Sequence, residues 1–319
     1  MRATRPTIRI DFTDFWPTFD KRDNFFFNLL SQHYCVEITS QPDFLIYGVF
    51  GSTHMRYHCT RIQYISENVR PDFSECDYAF SFDYLENNGR HFRLPLYVLY
   101  ADLHGGIESL LMESALARRA RQPKTRFCNI VISNARAPER IEAFNHLSTY
   151  KRVDSGGRYL NNLDGPVKDK LDFISHYKFT LAFENASYPG HTTEKILHPM
   201  LMGSIPIYWG NPLIERDFNT RSFVNCHEYG SLDRAIERVV QIDSDDELYE
   251  QYLSEPYFHG DQINPYADKD RILGHFDHIF SNPIRRVATT MEFKWRVWRW
   301  NARRGIARFK SMLRPRGPS

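Results

Sequence analysis

The chain has 319 residues, 42% of them apolar and 25% charged, with a formal net charge of +2. That composition excludes a disordered chain, and the length exceeds what one core comfortably fills, so two domains of roughly 130 to 160 residues each are expected. The charge is uneven: residues 285–319 hold eleven Lys/Arg and one acidic residue, leaving 30 of the 41 basic and 38 of the 39 acidic residues in an acidic body.

MRATRPTIRIDF opens without an apolar run, and nothing elsewhere approaches the ~18 consecutive apolar residues of a spanning helix. Neither a signal peptide nor a membrane anchor is expected, and the protein is expected to be cytoplasmic. Cys35, Cys59, Cys76, Cys128 and Cys226 form no C-x-x-C pair, and their odd number suits a reducing compartment. They read as buried or half-buried thiols.

Short strands and helices alternate through the first part. The pattern predicts strands at Thr7–Phe12, Cys35–Thr39, Phe44–Val49, Arg61–Ile65, Tyr78–Phe82 and Arg93–Tyr97, with helices over Arg22–Gln32 and Glu108–Arg121. The polar break at Gln122–Lys124 precedes a restart. Strands are predicted from Phe127, at Phe179–Phe183 and at Ile205–Trp209. Helices are predicted at Glu139–Leu147, Val167–His176, Thr193–Met202, Leu232–Ile242 and Asp246–Ser254. The predicted class is α/β, two facing doubly wound domains with ligands beyond the carboxyl ends of the strands. The boundaries read as 1–125, 126–284 and a basic amphipathic tail at 285–319.

The chemistry concentrates in YKFTLAFENASYPGHTTEKILHPMLMGSIPIYWG, Tyr177 to Gly210. Glu184 and Asn185 emerge at the end of a buried strand, and Thr193 is placed to cap the next helix. Glu194 and Lys195 then occupy its first turn. Unpaired N–H groups there favour an anion, Lys195 suits a diphosphate, and a neighbouring carboxylate can accept from a ribose diol. Capping chemistry beside a solvated lysine is the competing reading. No G-x-G-x-x-G or Walker loop is present.

This segment resembles the donor motif of the α-1,3/4-fucosyltransferases, above all their soluble bacterial members. FTLAFEN, TEK and IPIYWG carry the likeness, which continues through Asn211-Pro212, Asp217-Phe218-Asn219 and Ser222-Phe223-Val224. YISENVRPDF at Tyr64–Phe73 and RLPLY at Arg93–Tyr97 extend it toward the N-terminus. The resemblance implies a GT-B fold, Rossmann-like in both halves, with an N-terminal acceptor domain and a C-terminal GDP-fucose domain. By resemblance Glu194 binds ribose, Lys195 and Arg140 bind the diphosphate, and Asn185 lies against the donor. The family commonly has an aromatic residue and then Val or Ile before T-E-K, where this chain has His191-Thr192. His191 keeps the ability to stack or to donate to phosphate.

Transfer from a β-linked donor to an α-fucoside inverts the anomeric centre and needs one base. Leu103 to Ser109 (LHGGIES) matches a family context whose glutamate is the proposed base, which nominates Glu108. A carboxylate serving the helix dipole is the plainer reading, and Glu67 and Asp102 stand in reserve. The resemblance implies no metal and no cofactor, because cationic side chains meet the departing GDP. The acceptor is expected to be the 3- or 4-hydroxyl of N-acetylglucosamine in a Gal-GlcNAc-type glycan. A GT-B transferase for another nucleotide sugar, and a non-catalytic nucleotide-sugar-binding membrane protein, are the alternatives.

Asp243-Ser244-Asp245 and Asp268-Lys269-Asp270 read as solvated caps and turns. Phe12, Phe15 and Trp16 read equally as an acceptor-stacking platform or as core, with Trp16 and Glu67 the acceptor-side candidates. In the tail, Trp295, Trp298, Ala302, Ile306, Phe309 and Leu313 recur at helical spacing among Lys294, Arg296, Arg299, Arg303, Arg304, Arg308, Lys310 and Arg314. An anionic membrane surface is the expected partner, which places the protein peripheral to the inner membrane. Docking on the chain's own acidic body is the alternative, and nucleic acid is not expected. Truncation near Pro283 is expected to preserve catalysis.

Overall fold

The structure, a computed structural model, describes residues 5–120, 123–289 and 291–312, while the side chains of 118, 288, 289, 292 and 303–312 lie outside that description. The chain divides into two compact units. One takes the chain up to Ser81, Leu85–Arg93 and the segment from Lys269 onward; the other takes Phe82–Tyr84 and Leu94–Asp268. The helix expected over Glu108–Arg121, read as part of the 1–125 domain, thus falls in the stretch that groups with the second unit.

The first unit is built on a parallel six-stranded sheet of β1 (Thr7–Thr13), β2 (Cys35–Ile38), β3 (Phe44–Tyr47), β4 (Thr60–Tyr64), β5 (Tyr78–Ser81) and β6 (His91–Arg93). Its order is β2-β1-β3-β4-β5-β6. Most strand residues are buried on both faces, as a helix-covered parallel sheet requires. Helix α1 (Phe25–Ser31) starts where the Asn24 side chain accepts from the Phe27 N–H, and it buries Phe25, Phe26, Leu29 and Leu30. Three C-terminal helices join this unit: α9 (Lys269–Ser281), α10 (Arg286–Thr289) and α11 (Met291–Met312). Phe276 of α9 stacks on Phe80 with ring centroids 4.7 Å apart.

The second unit carries α2 (Leu96–Asp102), α3 (Met112–Arg119), α4 (Pro138–Tyr150), α5 (Lys170–Ser175), α6 (Glu194–Met202), α7 (Leu232–Ser244) and α8 (Asp246–Ser254). Its strands are β7 (Arg126–Ile130), β8 (Val153–Ser155), β9 (Tyr177–Phe183), β10 (Ile205–Trp209) and β11 (Val224–Asn225). They form a parallel five-stranded sheet in the order β11-β10-β9-β7-β8. The family fold read from the motifs is this architecture, an α/β chain with two parallel sheets. Tyr97 of α2 packs on Phe218 at 4.9 Å and accepts from Asn264 Nδ2 at 2.7 Å, which ties α2 into this unit.

Several expectations change. RLPLY is not a strand: β6 ends at Arg93, and Pro95 caps α2, where its missing N–H costs nothing. The helix expected from Glu108 is a 3-10 turn at Ile107–Leu110 followed by α3, and its last expected residue, Arg121, lies outside the described residues. Asp243 is buried, not solvated, and pairs with Lys151 and Lys178, whereas Asp245 does cap α8. Cys35 is exposed and the other four cysteines are buried. Among the described residues, no helix is long and apolar enough to cross a membrane.

The tail is partly a core element. Phe293 is 1% exposed and packs with Met55 and Val287, while the Arg61 guanidinium lies 3.9 Å from its ring centre. Arg296 Nη1 donates to Asp72 at 2.9 Å and to Glu75 at 2.8 Å, and Trp300 Nε1 donates to Ser52 Oγ at 2.6 Å. Docking on the body's own acidic groups accounts for this face. Trp295 and Trp298 point outward, 56% and 65% exposed. The side chains of Ile306 and Phe309, and all of Leu313 and Arg314, lie outside the described residues.

Candidate functional site

The site grows from the end of β9. The parallel ladder runs one residue past the strand, with Glu184 N–H donating to Trp209 O at 2.8 Å. The Glu184 side chain is fully buried and turns toward the start of α6. It accepts from Thr193 N and from Thr193 Oγ1, each at 2.8 Å, and from Lys195 Nζ at 3.0 Å. A buried carboxylate needs such donors, because an uncompensated charge there costs several kcal/mol, on the order of 3–5. Thr193 also caps α6, accepting from Lys195 N, as its position in the sequence predicts.

Two glycines make room for this arrangement. A Cβ on Gly210 would sit 2.4 Å from Glu184 Cγ. One on Gly190 would sit 2.3 Å from Phe82 O, and Gly190 has φ +84° besides. The loop between β9 and α6 is held by Asn211, whose Oδ1 accepts from Gly190 N at 2.7 Å and whose Nδ2 donates to Thr192 Oγ1 at 3.1 Å.

Glu194 and Lys195 open α6 side by side, their charges 3.7 Å apart. Burial opposes the Glu194 carboxylate, but Lys195 and Lys170 outweigh it and hold its pKa down to about 2. Burial likewise opposes the Lys195 ammonium, and Glu184 and Glu194 outweigh that to push it upward. Lys170, on α5, reaches to 4.0 Å from Glu194 Oε1.

Arg140 of α4 is 1% exposed, and burial presses against its charge. Its Nη2 donates to Phe183 O at 2.8 Å and to Asn185 Oδ1 at 3.0 Å, so it fixes the orientation of Asn185. His191 is buried, its ring edge-on to Phe82 at 4.8 Å. His198, one turn along α6 from Glu194, is also buried. Burial and Lys170 push it down to about 3, so it is neutral near pH 7.

Of the residues singled out in the sequence, Arg140, Asn185, His191, Glu194 and Lys195 thus gather at the β9–α6 junction and its neighbour α4. Glu108 is exposed in its 3-10 turn, which follows Gly105 and Gly106 at φ +91° and +87°. That turn lies against α6 in the same unit, where His104 meets His198 edge-on at 5.8 Å. Trp16 and Glu67 belong to the other unit. Trp16 is half-buried against Phe15 and Phe19 at 5.6 and 5.4 Å, Glu67 is exposed, and Phe12 is core. Sequence reasoning placed Glu184 at the strand end without giving it a role and did not single out Lys170. An acidic residue just past a buried strand, eleven residues before a lysine, is a signal for the first. Lys170 sits in the polar run PVKDK, which carries none.

Residues 10–100 match the family model for the alpha-(1,3)-fucosyltransferase FucT N-terminal domain, and residues 121–256 match that for the glycosyltransferase family 10 (fucosyltransferase) C-terminal region. The chain is 31% identical over 289 residues to the alpha-(1,3)-fucosyltransferase FucT of Helicobacter pylori, covering 78% of this chain and 60% of that protein. It therefore spans less than two thirds of the length of that curated relative. A crystal structure of an alpha1,3-fucosyltransferase superposes with a TM-score of 0.78 at 28% identity, over 89% of this chain and 93% of the other. A crystal structure of alpha1,3-fucosyltransferase with GDP-fucose gives 0.74 at 28% identity, over 88% and 93%.

Proposed function

Because this chain belongs to the glycosyltransferase family 10 fucosyltransferases, we propose that it transfers L-fucose from GDP-β-L-fucose to a sugar hydroxyl with inversion at the anomeric carbon. The acceptor we favour is the 3- (or 4-) hydroxyl of N-acetylglucosamine in a Gal-GlcNAc-type glycan. The observation that carries the reading is the α6 start, where Glu194 and Lys195 stand on a buried Glu184–Thr193 clamp. A structural relative that superposes over 88% of this chain is described with GDP-fucose.

In this reading the acceptor O–H gives its proton to Glu108 as its oxygen bonds to C1 of fucose. The C1–O bond to the β-phosphate breaks, and its electron pair leaves with GDP. Lys195 meets that charge directly, while Arg140 acts through its field and through Asn185. Glu194 accepts from the ribose hydroxyls, and His191 lines the turn between Asn185 and Lys195. Trp16 and Glu67 are the acceptor-side candidates. Cationic side chains then do the work for which other transferases hold a divalent metal, and no obligatory metal or cofactor is proposed. Donor competition tests the reading: GDP and GDP-fucose should protect the protein against thermal unfolding and UDP-sugars should not. Equal protection by UDP-sugars would point to another donor.

A second reading concerns the tail. Exposed Trp295 and Trp298 beside Lys294 and Arg299 form an outward aromatic and cationic face on α11, the composition that binds an anionic lipid surface. We place the protein on the cytoplasmic face of such a membrane. Trp295→Ser with Trp298→Ser should weaken co-sedimentation with anionic vesicles; unchanged binding would remove this reading.

A further inference from the structure

Lys170 is a lysine with work unassigned. Its side chain is 33% exposed and its ammonium makes no hydrogen bond among the described residues. The nearest charge is Glu194 Oε1 at 4.0 Å, beyond hydrogen-bonding reach. That same oxygen is 3.7 Å from Lys195 Nζ, so the two ammonium groups flank one carboxylate. Burial presses the Lys170 ammonium below its usual pKa while Glu194 supports its charge, and an arriving anion would add to that support.

The charge count at the site gives this weight. Arg140, Lys170 and Lys195 are the cations and Glu184 and Glu194 the carboxylates, which leaves one net positive charge. His198 adds none, being neutral near pH 7. Lys195 is already engaged by Glu184 at 3.0 Å, and Arg140 Nη2 by Phe183 O and Asn185, while Arg140 Nε stays buried without a partner among the described residues. Without Lys170 the cluster is neutral. A diphosphate brings at least two negative charges, and a neutral site offers it no net attraction.

Resting on the donor reading above, we infer that Lys170 is a second donor-binding lysine, which meets the ribose-diphosphate of the nucleotide from the α5 side while Lys195 meets it from α6. Its ammonium contributes the site's surplus positive charge and keeps Glu194 ionised for the ribose.

The test titrates GDP and guanosine into wild type, Lys170→Met, Lys170→Arg and Lys195→Met at low and high salt. Lys170→Met should bind GDP about tenfold or more weakly, with a shallower salt dependence and little change toward guanosine, and Lys170→Arg should recover most of the loss. A helix-end lysine with a purely structural role would not change the salt dependence. If Lys170→Met binds GDP like wild type while Lys195→Met is weakened, the inference fails and the donor site stands. If neither variant is weakened, the donor site itself is misassigned and the inference falls with it. Thermal unfolding of each variant without ligand confirms that a folded protein was titrated.

Discussion

Lys195 Nζ lies 3.0 Å from Glu184 Oε2, and Glu184 is fully buried at the end of β9. The lysine expected to hold the donor is thus held by a carboxylate with no exposed surface. The pair joins the strand to the helix and fixes where the charge of Lys195 points.

Removing either partner should have different consequences. Lys195→Ala leaves Glu184 buried with one donor fewer, so a loss of stability of about 2–4 kcal/mol is expected, together with GDP affinity reduced by roughly two orders of magnitude. Glu184→Gln keeps the shape but frees Lys195, and should raise KM for the donor more than it lowers kcat. Thermal denaturation and GDP titration read these effects. Near-normal GDP binding by Lys195→Ala would show that the anion site lies elsewhere.

Gly190→Ala forces a Cβ to 2.3 Å from Phe82 O at a positive φ. A stability loss of about 1–3 kcal/mol is expected from the backbone strain alone, with donor affinity falling as the loop shifts. An unchanged melting temperature would contradict the tight approach described here.

Unit one carries a pH-dependent contact. His54 Nδ1 is 2.7 Å from Asp14 Oδ2, and Nε2 is 3.5 Å from Glu75. Burial opposes its charge, but the two carboxylates outweigh it and raise the pKa above the usual 6.5. The stability it adds is complete below that usual value and is lost as pH rises through the folded value. The melting temperature should therefore decline from about pH 6.5 upward, and His54→Asn should flatten the decline. A His54→Asn profile parallel to wild type would assign the slope to other groups.

The tail should behave as two surfaces. Phe293→Ala should cost about 3–5 kcal/mol, because its ring fills the contact with Met55 and Val287. Truncation near Pro283 removes that ring and the Arg296 pairs as well, so it should destabilise the first unit and not leave catalysis untouched. A truncated protein as stable as the full chain would contradict this docking.

Much of this architecture is written locally. The β-branched and aromatic run IPIYW and the capped segment DELYEQYLS fold with the bounds their patterns give, as β10 and α8. Thr193-Glu194-Lys195 announces the α6 start because capping is a short-range effect. What escaped depends on distant partners. RLPLY has the apolar content of a strand, but Pro95 starts a helix that packs on Phe218. Glu184 reads as a loop acid until the chain folds back over it. The tail's stripe was legible as Trp295 and Trp298, yet the inward face is Phe293, Arg296 and Trp300, and only the acidic Asp72 and Glu75 reveal it.

The most direct measurement is GDP release from GDP-fucose with N-acetyllactosamine as acceptor, in excess chelator, for wild type and Glu108→Gln. Wild type should turn over in excess chelator, and the variant should lose about 10²–10⁴-fold in kcat with GDP binding retained. Turnover by Glu108→Gln at the wild-type rate would place the base elsewhere, and a silent wild type would contradict the donor and acceptor assigned here.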